Sequence, residues 1–243
     1  MNRVALTAIT ALSLFYSTTY AGEYTIGMES LDYLPYYNKD SSQGIARDIL
    51  DAFAAEHNHQ FTYSAMPVKR LLNQFLAEKV DFKFPDSPDW GKDQKAGKTI
   101  VYSQGVIPYT DGIMTQPDKQ TISLADFKTM GSPSGFYPWV YMDQVNTKQI
   151  KLVENPDLDG LLLQAIRGRV DGAYANLAVA RYHLRQQNQQ ESLVHAINLP
   201  VGQGYFHFAT IKHPEIITQF NTWLGSNQAK ITGYIEKYGV NLN

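Results

Sequence analysis

The side chains best suited to chemistry fall in three clusters. Glu29, Asp32 and Tyr33 lie in one loop, Asp86, Ser87, Asp89 and Trp90 in a second, and Gly131, Ser132, Pro133 and Ser134 in a third. Carboxylates beside aromatic rings make an acidic mouth that suits a cationic or amine-bearing solute, through ion pairing and cation–π contact. A Gly-Ser-Pro-Ser run ahead of a helix can offer N–H groups and hydroxyls to a carboxylate or carbonyl, or simply cap that helix. Arg70 stands beside Leu71 and Leu72 at a helix start, where it either turns into a cleft or reaches solvent. In an enzyme, Glu29, Asp86 or Asp89 would be the general acid or base. Acids beside prolines are also ordinary turn residues.

Other chemistries find little support. The six histidines are scattered, and His57 and His59 are two apart, not at the spacing that puts two ligands on one helix face. No metal or cofactor is expected. There is no G-x-S-x-G nucleophile signature, and Gly202-Gln203-Gly204 is a bare G-x-G that reads as a turn.

Those clusters need elements to hold them. Residues 23–28 read as a strand, 29–44 as a loop, and 45–57 as a helix with Ile45, Ile49, Leu50, Phe53 and Ala54 on one face. A strand over 60–64 follows, then a helix opened by Pro67, then a strand over 81–84. That β-loop-α-β-α-β order predicts a largely parallel sheet with loops gathered at strand ends. Residues 91–98 read as solvated surface, with Lys92, Lys95 and Lys98 in it, and 99–102 and 109–115 as extended segments. A second α/β run comes next. Short helices are expected at 123–127 and 136–142, a strand at 150–153, a helix at 159–167, a strand at 170–174 and a helix at 177–184. Strands at 194–199 and 205–210 and helices at 214–223 and 228–238 complete it. Two α/β blocks joined by extended segments would leave a cleft between them.

The order of several short motifs carries a family resemblance. They are Tyr33-Leu34-Pro35-Tyr36 after the first strand, Gly44-Ile45-Ala46-Arg47-Asp48-Ile49 opening the first helix, and Val80-Asp81 after the second. Tyr102-Ser103, Gly131-Ser132 and Gly168-Arg169-Val170-Asp171-Gly172-Ala173-Tyr174 follow. Over nearly the whole mature chain this resembles extracellular solute-binding protein family 3, the periplasmic binding proteins of polar amino-acid ABC transport. The resemblance implies a type II two-lobed α/β fold with mostly parallel sheets and two crossing segments. Residues 22–112 and 195–243 would form lobe 1, and 113–194 lobe 2. The implied partners are a small polar solute and a membrane permease complex, with the protein a monomer that performs no chemistry. Docking on a membrane receptor as a sensor, or dehydratase activity on a cyclic acid, are the alternatives the resemblance leaves open.

The resemblance also assigns residues. Tyr33 matches the family's cleft aromatic, and residues 131–134 match its helix-start cradle. Asp171 matches a structural aspartate. The arginine that grips an α-carboxylate is missing, because the chain has no arginine between Arg70 and Arg167. The carboxylate that meets the amine is replaced by Asn176, which hydrogen-bonds without charge. Either Arg70 supplies the positive charge, or the solute is not a free α-amino acid and Glu29, Asp86, Asp89, Tyr33 and Trp90 receive something cationic.

Composition agrees with a secreted globular protein. The chain has 243 residues, 21 basic and 23 acidic, giving a formal charge of -2, too balanced to call for a nucleic-acid partner. It is 44% hydrophobic, too apolar for disorder, and has no cysteine, so it forms no disulfide or thiolate site. Arg3, the apolar run 4–16 and Thr19-Tyr20-Ala21 make a signal-peptide pattern over residues 1–21, which predicts a periplasmic protein. The mature part then holds 20 bases and 23 acids, a formal charge of -3.

Overall fold

The computed structural model describes residues 22–240. The expected signal segment, residues 1–21, lies outside them. The first half of the chain forms β1 (Glu23–Glu29), α1 (Ile45–Glu56), β2 (Gln60–Met66), α2 (Val68–Leu76), β3 (Phe82–Asp86), the short α3 (Lys92–Lys95), β4 (Val101–Tyr102) and β5 (Ile107–Thr115). Next come β6 (Thr129–Pro133), α4 (Met142–Asn146), β7 (Lys151–Asn155), α5 (Leu158–Ile166), β8 (Gly172–Asn176) and α6 (Leu177–Gln186). The chain closes with β9 (Val194–His195), β10 (Gly202–Thr210), α7 (Pro214–Ser226) and α8 (Gln228–Lys237). Among the described residues no helix is long and apolar enough to cross a membrane.

The strands run in the order β2-β1-β3-β10-β5-β8-β6-β7. In one lobe β1 is parallel to both β2 and β3; in the other β6 is parallel to both β7 and β8. Between them lies the antiparallel pair β5 and β10. β10 pairs with β5 through Gly202–Phe206 and with β3 through His207–Thr210, with a register shift between His207 and Ala209. An irregularity of this kind bends a strand, and here it falls where β10 passes from one lobe to the other.

The two lobes repeat one local design. Asp81 accepts a hydrogen bond from the Thr25 N–H at 2.7 Å, and Asp171 accepts one from the Thr129 N–H at 2.8 Å. Two residues further along each first strand sits a glycine. A Cβ on Gly27 would lie 2.5 Å from Leu71 and 3.2 Å from Val80; one on Gly131 would lie 2.6 Å from Leu161 and 3.4 Å from Val170. Each helix therefore rides directly on its strand, and only a residue without a side chain admits that approach. Helix α1 buries Ile45, Ala46, Ile49, Leu50, Phe53 and Ala54, the face its periodicity predicts.

The structure departs from the sequence reading in several elements. Residues 123–127 form a turn held by the Ser123 hydroxyl rather than a helix, and the strand from 194 stops at His195. Residues 202–204 are the start of β10, not a turn. The run 136–142 is a 3₁₀ turn over Trp139–Tyr141 leading into α4, since Pro138 disfavours helical backbone at Tyr137 before it.

Candidate functional site

A cavity of about 330 Å³ lies between the lobes. Glu29 and Asp86 reach it from the carboxyl ends of β1 and β3, Lys83 from near the start of β3, and Tyr33 and Tyr37 from the loop after β1. Lys69 and Leu72 come from α2, Trp90 and Lys95 from the loop and helix after β3, and Asp111 and Phe206 from β5 and β10. The other lobe contributes Phe136 and Tyr137 after β6, Glu154 on β7 and Tyr174 on β8. The site gathers at the carboxyl ends of the parallel strands, where α/β sheets bind ligands.

The polar floor is mostly buried. Asp86 is 1% exposed, and its Oδ1 receives Lys83 Nζ at 3.1 Å and Lys95 Nζ at 2.9 Å. Lys83 also donates to the Pro85 carbonyl at 2.6 Å. Lys95 donates to the Ser87 carbonyl at 2.7 Å and the Tyr102 hydroxyl at 3.1 Å, which occupies all three of its N–H bonds. Burial lowers the Lys95 pKa, an effect that Asp86 opposes. Asp86 Oδ2 has no partner. Glu29 is buried and accepts the Tyr37 hydroxyl on Oε2 at 2.6 Å. Burial raises its pKa, while Lys83 and the Tyr37 hydroxyl oppose the rise. Asp111 is buried, accepts the Tyr174 hydroxyl at 3.3 Å and leaves Oδ1 unpartnered; burial pushes its pKa up to about 7.

Aromatic rings make the walls. Tyr33 stacks on Tyr37 with centroids 5.2 Å apart and meets Phe136 of the opposite lobe edge-on at 5.6 Å. Trp90 is half-buried, packs against Phe206 at 5.9 Å and lies beneath the Lys83 ammonium at 5.7 Å. The mouth is bridged by Glu154, whose Oε1 accepts the Gly135 N–H at 2.8 Å and Lys69 Nζ at 3.3 Å, one lobe to the other.

The residues singled out in the sequence divide among several places. Glu29, Tyr33, Asp86 and Trp90 line the cavity. Asp86 does so already neutralised by two lysines, so it is no free anion for a cationic solute. Ser87 is buried and accepts Lys95 through its carbonyl. Asp32 and Asp89 are exposed, and Asp89 pairs with Lys92 at 2.8 Å. Arg70 is exposed and absent from the lining; its neighbour Lys69 faces the mouth instead. Gly131 and Ser132 are buried in β6, and Ser134 is exposed in the turn after it, so residues 131–134 head no helix that could cradle an anion. Asn176 caps α6 by accepting from Ala178 and Val179, and it lines a second groove, on Tyr36, Tyr109 and Tyr205.

Sequence reasoning missed Lys83, Asp111 and the burial of Lys95. A signal existed for the first two: each is a charge inside a strand that pairs on both edges, which is costly unless the charge is matched or used. Lys95 gave none, since its neighbours Lys92, Asp93, Gln94 and Ala96 are exposed. Among the described residues no cluster of His, Asp and Glu is arranged to hold a metal ion.

Neither a protein-family model nor a curated protein matches the sequence. Solved structures do resemble the chain in three dimensions. A mutant of ArgBP from T. maritima is 19% identical with a TM-score of 0.70, over 89% of this chain and 94% of that one. An ABC uptake transporter substrate-binding protein from Streptococcus pneumoniae with bound histidine is 16% identical with a TM-score of 0.71, over 89% and 92%. A histidine kinase sensor domain with similarity to periplasmic binding proteins is 16% identical with a TM-score of 0.72, over 88% and 95%. Such identities establish shared architecture, and with the two parallel half-sheets and the strand pair between them they assign this chain the two-lobed periplasmic-binding-protein-like fold.

Proposed function

We propose that the protein is an exported solute-binding protein. It captures a small polar solute, an amino acid, amine or related compound, between its lobes and delivers it to an ABC-type permease from the periplasm. The observation that carries this reading is the cavity itself: both lobes line it, and buried charged groups and aromatic rings face it. A ligand that touches both lobes only when they meet shifts the open–closed equilibrium toward closure, and nothing in that mechanism requires a bond to be made or broken. The bound histidine of the Streptococcus pneumoniae protein and the arginine-binding name of the T. maritima one support a nitrogen-bearing solute.

A thermal-shift screen against amino acids, amines and small carboxylates tests it, because a ligand of the folded state raises the melting temperature by mass action. A concentration-dependent rise with one chemical class is the expected result; no rise with any class contradicts the proposal. The sensor-domain likeness favours one second reading, delivery of the loaded protein to a membrane receptor. Loss of radiolabelled solute uptake on deleting the gene supports transport, and unchanged uptake with a lost transcriptional response supports sensing.

A further inference from the structure

The carboxyl oxygens around the cavity outnumber the donors that reach them, and that surplus points to the solute. Three buried carboxyl groups face the space, on Glu29, Asp86 and Asp111, the last pushed up to about 7 by burial and so partly protonated near neutral pH, against two buried ammoniums, on Lys83 and Lys95. Asp86 takes both ammoniums on one oxygen, and Lys95 has no N–H left. A solute carboxylate would find one remaining N–H on Lys83 and two carboxylates close by. Glu29 receives one hydrogen bond, on Oε2, and none on Oε1. Asp111 adds an oxygen with no hydrogen bond within range, although the Asn176 side chain across the strand pair lies near enough to oppose the rise that burial causes in its pKa. Among the described residues no arginine lines the cavity. Around these acids stand Tyr33, Trp90, Phe136, Tyr137 and Phe206, whose ring faces attract cations and accept flat apolar bodies. The wall is therefore built for positive charge on an apolar frame.

We infer that the solute is a small organic cation without a carboxylate, a protonated or quaternary amine on an aromatic or aliphatic body. Its ammonium pairs with Glu29, the Asp111 carboxyl that also lines the cavity adds negative potential as it ionises, and the rings of Tyr33, Trp90 and Phe136 enclose its body. This rests on the solute-binding reading above and narrows it. Burial raises the pKa of both Glu29 and Asp111, and a bound cation would offset that burial by favouring their ionised forms.

The test is calorimetric titration with matched pairs: phenethylamine against phenylalanine, tyramine against tyrosine, and histamine against histidine. At least one amine should bind about tenfold or more tightly than the amino acid that differs from it only by the carboxylate, as expected for a buried charge left unmatched. Glu29→Gln should weaken that amine by about tenfold to a hundredfold. Asp111→Asn, a shape-preserving change, guards against misreading a folding defect: it should also weaken the amine while circular dichroism stays unchanged. If an amino acid binds and its amine does not, the inference fails and the solute-binding reading stands. If neither variant weakens a bound amine, the assignment of the ammonium to this acidic wall fails. If no member of either series binds, both fall.

Discussion

At the level of single residues, Asp111 is the most exposed to test. Its carboxyl is buried and titrates near 7 in the folded chain against 3.8 as its ordinary value. Between those values the unfolded chain has released the proton and the folded chain still holds it. Stability therefore falls as pH rises through that window and levels off above about 7. Asp111→Asn removes the penalty, so the variant should exceed the parent by about 2–4 kcal/mol at pH 8 and by little at pH 4 in urea unfolding. It should gain stability while losing solute. The Lys83–Asp86–Lys95 group behaves in the opposite way. Asp86→Ala leaves two buried ammoniums without their carboxylate and should cost about 3–5 kcal/mol by the same measurement. The sequence exposed Glu29, Tyr33 and Trp90 because acids and rings stand out in loops. It concealed Lys95, whose burial depends on the carbonyl of Ser87 and the hydroxyl of Tyr102 meeting it in space.

At the level of elements, the helices and parallel strands were legible because each buries one regular face. Helix α1 is an example: five of its six buried positions follow from spacing alone, and Ala46 is the sixth. Residues 131–134 were misleading for the reverse reason. Glycine and serine are the residues of both an anion cradle and a tightly packed strand, and local composition does not separate the two. Their spatial counterpart is Gly27, and the comparison between the lobes gives the prediction. Gly131→Ala places a Cβ 2.6 Å from the Leu161 side chain and should destabilise the protein by about 1–3 kcal/mol in thermal or urea unfolding. A cradle role would instead leave stability near the parent's and change solute affinity alone.

At the level of the whole molecule, the lobes meet around the cavity through the Glu154–Lys69 pair and the Tyr33–Phe136 contact. Glu154 and Lys69 join the lobes at 3.3 Å, but both are substantially exposed, so screening limits what the pair contributes. Lys69→Ala should weaken solute binding by less than about fivefold in calorimetry, an effect far below that of Glu29→Gln. On the proposed function, closure comes mainly from the solute, which would touch the buried acids and the rings of both lobes. Because the chain has no cysteine, paired labels can be placed at will. Asn73 on α2 and Asn146 on α4 are exposed and sit in opposite lobes. The decisive measurement is the spin-label distance distribution of the Asn73→Cys, Asn146→Cys protein, with and without the tightest-binding amine. The account predicts a broad distribution that narrows toward its short end when the amine is added. A distribution that the bound amine leaves unchanged would contradict capture by lobe closure.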